Sequence, residues 1–413
     1  MKINIVYSKL KKLIVAAILS LSLLTAGYFI NNLPIFTGVS MGQFFLSQKV
    51  CEALGIAPKI DNNDALFVNV SYDKDLAVKL ESNSTDTIGN TAITDRNKLY
   101  QFLNSLKDKG DYKYIILDIK FDINEISSAD SLLYSLIASM DNIVIIREKN
   151  KPTPRADLQE KSALAYYSAT IDETSFARYQ YLSIDTIRFI PLKVYEDLHP
   201  YARFKRHGWK YLPIYTSQGK LCYNSSFITF DSKPFTLERF FATETYDKIS
   251  SKNYYNLGNE ILNDADCNID ILSKDRYVIV GDFAEEDRHD TYVGKIPGAL
   301  IIYRALKNLE NEKHIVSFFS MLYWFTTFTI IFWLIISDTK ISNIIPSNVR
   351  KSDIGRKIAK PRFLRFIIAT FSYTTILFIC STIEFTIAHR VYSTFLPTIT
   401  FMVTKLYYDY KKF

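Results

Sequence analysis

The sequence predicts an α/β extracytoplasmic domain, with a mostly parallel sheet covered by helices, joined to four transmembrane helices. Three observations predict it. Apolar runs of strand length alternate with helically spaced apolar residues in the middle of the chain. Uncharged runs long enough to cross a bilayer lie at both ends. Positive charge gathers on those ends. The 413 residues are 48% hydrophobic and 15% aromatic, with a formal net charge of +7. Residues 1–30 carry Lys2, Lys9, Lys11 and Lys12 and no acid, and residues 316–413 carry twelve Lys/Arg against four acids. Between them 34 basic residues face 39 acidic ones, so the middle of the chain is net −5. A basic nucleic-acid-binding domain is therefore not the leading reading, and no nucleic acid partner is expected. The aromatic content excludes a disordered chain. With 13 Gly and 4 Cys, collagen-like and disulfide-dense scaffolds are excluded too.

The elements at the two ends follow from hydropathy and charge. Residues 1–12 form a basic cytoplasmic N-terminus, and 13–30, LIVAAILSLSLLTAGYFI, span a core of about 30 Å. The rival is a cleavable signal peptide, but its apolar region would be long and no small-x-small cleavage site follows. Residues 316–337 form the second span, with Tyr323, Trp324 and Trp333 as interfacial aromatics. Residues 338–365 form a loop rich in Lys and Arg, hence cytoplasmic, and 366–384 form the third span. Residues 391–408 form a fourth, weaker span, with Pro397 inside it and Lys405 near its end. The rival for the last two spans is a pair of buried soluble helices. This topology makes the chain a multi-pass membrane protein, with both termini inside and residues 31–315 as one outside domain.

Within that domain the strand candidates are 65–71, ALFVNVS; 113–119, KYIILDI; 142–146, NIVII; and 276–281, ending at Gly281. Between them, Leu99, Phe102, Leu103 and Leu106, then Leu132, Leu133, Leu136, Ile137 and Met140, recur at helical spacing. Ser127 to Asp130 resembles a capping box for the second helix. Nearly continuous apolar strands separated by helices imply a parallel sheet buried on both faces. The segment 150–270 is less regular; there 185–192, DTIRFIPL, reads as a strand with Pro191 at its exit. Pro297 suits the first turn of a last helix, whose buried face is Ile302, Ala305, Leu306 and Leu309. That helix ends only a few residues before the second span. Gly298, beside Pro297, is expected where the backbone approaches the sheet closely. Of the cysteines, Cys51, Cys222 and Cys267 fall outside; a disulfide such as Cys222–Cys267 is compatible with that compartment but no spacing rule demands it.

The stretch DRYVIVGDFAEEDRHDTYVGKIPGALIIYRALKNL resembles the C-terminal signature of CHASE2 domains. ALFVNVSYD is similar to the first strand of that family, ITDRNKLYQFLNSLKDKGDYKYIILDIKFD to its helix and following strand, and DTIRFIPL to its D-x-x-R-x-x-P-L segment. The resemblance covers roughly residues 36–410 and is most specific in the last block. It implies an extracytoplasmic sensory domain, with one membrane span before it and three after. Family members often carry a cytoplasmic kinase or cyclase. This chain stops at Phe413, so output through a separate protein is expected.

The chemistry on offer is acidic. Asp73, Asp118 and Asp282 each lie at or just beyond the C-terminal end of a predicted parallel strand, where ligands of open α/β sheets bind. Asp287, His289 and Asp290 follow on the loop leaving the last strand. Together these six could hold a small ligand, a divalent cation or a basic group; the bland alternative is that they cap turns and helices. Asp95 and Arg96 read as a surface ion pair at a helix start, and Arg188 as a structural partner for a carboxylate. There is no GxSxG, no Gly-rich phosphate loop and no Cys/His ligand spacing, so no catalytic residue, no enzyme activity and no cofactor is expected. Glu384, His389 and Arg390 cluster at the turn between the third and fourth spans and mark an interface. The leading expectation is a signal-input protein whose partners are the lipid bilayer, a small ligand and an effector protein, and a homo-oligomer fits it. The rivals are an assembly subunit of a membrane complex and an extracytoplasmic metal-dependent enzyme.

Overall fold

The computed structural model describes residues 2–32, 37–56, 62–81, 85–109, 111–149, 151–165, 178–183, 185–209, 212–229, 253–264, 267–284, 286–291, 294–337, 362–388, 392 and 394–410. Two helices come first, α1 (Lys2–Asn31) and α2 (Thr37–Ala53). Strand β1 (Ala65–Asn69) is followed by a hairpin, β2 (Lys74–Leu80) and β3 (Thr87–Thr94), and by helix α3 (Arg96–Lys109). Then come β4 (Tyr114–Asp118), β5 (Glu125–Ile126), α4 (Asp130–Ser139), β6 (Ile143–Arg147), β7 (Ser162–Leu164), β8 (Arg178–Gln180) and α5 (Ile190–Leu198). A small sheet follows, β9 (Lys205–Trp209), β10 (Leu212–Ser217) and β11 (Lys220–Cys222), then β12 (Ser225–Phe227) and β13 (Tyr254–Asn256). The domain closes with α6 (Ile269–Ser273), β14 (Tyr277–Gly281), the hairpin β15 (Arg288–Thr291) and β16 (Gly294–Pro297), and α7 (Gly298–Glu310). Helices α8 (Phe318–Ile336), α9 (Arg362–Ala388) and α10 (Phe395–Tyr410) complete it.

The main sheet has the order β13-β1-β14-β4-β6-β7, and every pairing in it is parallel. Period-two alternation sorts its side chains onto two faces. Ala65, Phe67, Tyr114, Ile116, Tyr277 and Ile279 pack with α5 and α7 on one face. Leu66, Val68, Ile115, Leu117, Val278 and Val280 pack with α3, α4 and α6 on the other. Because both faces are covered, both sets of alternating positions are apolar, as the continuous runs predicted. The sheet is thus the mostly parallel, helix-covered α/β sheet expected.

Several local expectations are corrected. The stretch 185–192 is not a strand. Leu182 and Arg188, and Leu164 and Phe189, make only isolated bridges, and Ile190 opens a helix with Pro191 in its first turn. Proline's fixed φ and missing N–H suit that turn better than a ladder. Pro297 sits one residue earlier than expected, as the N-cap of α7, with Gly298 as its first residue. Ala129 is the N-cap of α4 and makes no side-chain cap; Asp130 instead accepts from the Ser127 N–H at 2.8 Å, only half of a capping box. Arg96 is not at the surface. It is fully buried, lies 4.3 Å over the Phe121 ring and 3.6 Å from Asp130, and Asp95 caps α3 without it. Arg188 does pair with a carboxylate, that of Glu196. All four cysteines are free. Cys222 belongs to the core on the α7 face and Cys267 packs on the α3 face, so the sheet separates them.

Among the described residues, three helices are long and apolar enough to cross a membrane: Lys9–Asn31, Phe318–Ile336 and Thr370–Ile387. Helix α10 packs with them through Phe401, which meets Phe332 at 4.7 Å, but its 16 residues reach only about 24 Å. Helix α2 carries no counterpart in the sequence reading. Its Gln43 side chain bonds Ser381 and the Tyr392 carbonyl, and Ser47 and Cys51 meet Thr382 and Thr386 on α9. Glu384 is buried in this bundle, accepting from Trp324 Nε1 at 2.5 Å and from the Ser320 hydroxyl. His389 and Arg390, and most of the basic 338–365 loop, lie outside the described residues.

Candidate ligand-binding site

Parallel register brings three strand ends to one edge. Asn69, Gly281 and Asp118 are neighbours across β1, β14 and β4. Gly281 must lack a side chain, because a Cβ there would lie 2.9 Å from Ala299 Cβ and 3.3 Å from Asp118 Cβ. The first turn of α7 therefore presses directly on this edge. Around it lies a cavity of about 480 Å³ whose apolar wall includes Val70, Ile93, Ile119, Ile146, Tyr179 and Ile302. Its polar rim holds Asp118, Asp282, Glu286, Asp287, His289, Lys74 and Lys120.

Four of the six predicted site residues meet here: Asp118, Asp282, Asp287 and His289. Asp73 and Asp290 do not line the cavity. Asp73 is buried; it binds Lys98 Nζ at 2.6 Å and accepts from the Gly258 N–H at 3.0 Å, so it ties the end of β1 to α3 and to the turn at 257–262. Asp290 pairs with Lys295 in the β15–β16 ladder. Asp282 is a turn clasp on the rim. Its Oδ1 takes the Ala284 N–H at 3.0 Å and lies 2.6 Å from the Ser71 hydroxyl, and Lys74 stands 3.7 Å from Oδ2.

Asp118 and Asp287 form the exceptional pair. The Asp287 carbonyl accepts the Gly298 N–H at 2.9 Å, which fixes the hairpin end against the start of α7. Its carboxylate lies so close that a Cβ on Gly298 would stand 2.3 Å from Oδ2, and its Oδ1 is 3.1 Å from His289 Nε2. The helix N-terminus favours negative charge there. The buried Asp118 carboxyl lies beside this carboxylate at the cavity edge. Burial, followed by the neighbouring Asp287 charge, pushes the Asp118 carboxyl well above its ordinary range, so Asp118 is the group that holds the proton. Its Oδ2 is sealed from solvent and accepts no hydrogen bond among the described residues.

No group of three or more His, Cys, Asp or Glu side chains that could hold a metal ion occurs among the described residues. The arrangement can instead exchange a proton or receive a positively charged hydrogen-bond donor, with apolar surface beside it for the rest of a small molecule. Sequence reading missed Lys74, Ile93 and Tyr179. The first two come from the β2–β3 hairpin, whose sequence KDLAVKL has no clean polar–apolar alternation to mark it.

Comparison with known proteins returns one family. The CHASE2 domain matches residues 62–337, from just before β1 to the end of α8. No curated protein and no solved structure shows significant similarity to the chain.

Proposed function

Because this chain belongs to the CHASE2 domain family, we propose that it is a membrane-anchored signal-input protein that detects a small ligand in the Asp118–Asp287 cavity. CHASE2 is a family of extracytoplasmic sensory domains, which supports that role. The observation that carries the proposal is the position of α7. Its first residue, Gly298, forms part of the cavity wall beside Asp287, and its last, Glu310, is separated from α8 only by residues 311–317. A ligand that draws Asp287 away from Asp118 moves the start of a helix that is nearly rigid and almost wholly buried. That displacement is delivered to the membrane bundle and from there to a protein partner on the inner face. The full topology belongs to this proposal: α1, α8, α9 and α10 cross the membrane, and residues 31–315 lie outside in a bacterial inner membrane. Reporter fusions active only outside would check it. Outside activity for a fusion after α10 would remove the fourth crossing.

The ligand test uses thermal unfolding of the full chain in detergent, with a panel of small amines and divalent cations. A ligand at a hundredfold excess over its Kd adds about 2.7 kcal/mol. Amines are expected to stabilise the chain, and Asp118→Asn and Asp287→Asn to abolish the effect. Equal stabilisation in both variants would remove the cavity from the signalling route.

A further inference from the structure

The segment 198–230 reverses the charge of its surroundings. It contains five Lys/Arg and no Asp or Glu, inside an outside region that is net −5. It folds into the β9–β10–β11 sheet, and the structure pins that sheet to the outer ends of two membrane helices. The Tyr28 hydroxyl, near the end of the Lys9–Asn31 span, accepts from the Tyr215 N–H and donates to the Cys222 carbonyl, each at 3.0 Å. Val316, just before α8, donates its N–H to the Leu221 carbonyl at 2.8 Å. Strand β10 runs from Tyr215 back to Leu212, and three residues at about 3.3 Å each keep the hairpin end within about 10 Å of Tyr28. The polar interface of a bilayer leaflet is about 5–8 Å deep, so this end of the hairpin is within one short strand's reach of it.

Cross-strand register decides what it presents there. Lys205 opposes Thr216, His207 opposes Ile214, and Trp209 opposes Leu212, and directly opposed residues share a face. Trp209 is 79% exposed, and Leu212, Ile214, Lys205 and His207 are exposed with it. On the other face Tyr215 is buried in the domain core. A Trp flanked by aliphatic and cationic side chains suits a membrane–water interface: the indole and aliphatics take the acyl boundary while the ammonium meets phosphate.

We propose that this face of the β9–β10 hairpin docks on the outer leaflet of the membrane that holds α1 and α8, with Lys205 on an anionic phospholipid headgroup. The contact makes the domain's resting position depend on lipid charge, independently of the cavity and its ligand.

The test places the full chain in nanodiscs of phosphatidylcholine alone, or of an equal mixture with phosphatidylglycerol. Lipids brominated near the headgroup serve as quenchers. The sequence has only three Trp, so subtracting the Trp209→Phe emission isolates Trp209. Its signal is expected to be quenched by the brominated lipid, more strongly with phosphatidylglycerol. Lys205→Ala is expected to lower the docked-to-undocked ratio about fivefold in the anionic discs at low salt, the effect of one cation near a charged surface. Absence of quenching in both membranes would overturn the proposal and leave the face to water or to a protein. Quenching that ignores both phosphatidylglycerol and Lys205→Ala would overturn the headgroup assignment. Photo-crosslinking phosphatidylglycerol to the unaltered chain gives a check without any variant: labelled peptides from 203–220 support docking, and their absence refutes it.

Discussion

The two ends of α7 solve opposite electrostatic problems. At its C-terminal end, where the helix dipole disfavours an acid, Glu310 receives Lys113 at 2.7 Å, Lys307 at 2.7 Å and the Tyr277 hydroxyl at 2.5 Å. Lys307 also binds Asp64 at 2.7 Å, and Tyr303 donates to Asp64 as well. Burial would raise the Glu310 carboxyl, but these donors outweigh it and hold it at about 2. At the N-terminal end, where the dipole favours an acid, Asp118 is buried beside Asp287, and its Oδ2 accepts no hydrogen bond among the described residues. A fully donated carboxylate fastens a helix. An under-donated pair leaves binding energy available for a ligand. On the proposed function, the same helix is thus anchored at the end that leads to α8 and responsive at the cavity.

The largest effect should come from closing the responsive end. Gly298→Val places a branched side chain where even a Cβ would be 2.3 Å from Asp287 Oδ2. It is expected to displace the Asp287 carboxylate and to cost roughly 1–3 kcal/mol, read as a lower Tm of the full chain; an unchanged Tm would mean the carboxylate swings aside freely and the close approach is unimportant. At the anchored end, Lys307→Met removes a donor from both Asp64 and Glu310 and should cost about 1–3 kcal/mol. The pH dependence sharpens the contrast. Glu310, depressed from 4.5 to about 2, contributes stability above its unfolded value that is lost as pH falls through about 2. Lys307→Met should move that loss to higher pH.

Asp118 works in the opposite sense. Its raised carboxyl keeps a proton in the folded state that the unfolded chain has released, so its contribution is greatest below the ordinary carboxyl range and falls as pH rises through the raised value. Asp118→Asn should therefore stabilise the chain at neutral pH, by on the order of 1 kcal/mol, and flatten this part of the pH profile in denaturant titrations. Destabilisation at every pH would show that the pair is structural, like its counterpart at the other end. The smallest effect belongs to the rim. Lys74 pairs with Glu286, whose side chain is 74% exposed, and Lys74→Ala should change stability by less than about 1 kcal/mol. A larger loss would make the β2–β3 hairpin part of the anchored structure.

By itself the sequence determined the layered α/β domain. Nearly continuous apolar runs in β1, β4, β6 and β14, and apolar residues at helical spacing in α3, α4 and α7, leave few other ways to bury both sheet faces. It also determined the apolar helices at the ends, because an uncharged run of some twenty residues needs no tertiary partner to be recognised. The family match covers residues 62–337, which include these strands and the block around Gly281, Pro297 and Gly298. Strand order let the carboxylates be assigned to one edge. Their partners could not be read, since a side chain's neighbours come from residues distant in the chain. Tertiary structure gave Asp73 to Lys98 and Gly258, made Asp282 a turn clasp, and left Asp118 against Asp287, separated by 169 positions in the chain. It likewise buried Arg96 and tied β10, through Tyr215, to Tyr28 of α1. Local periodicity reports which face of an element is apolar; only the packed chain decides which charges are desolvated together, and that sets the chemistry of the site.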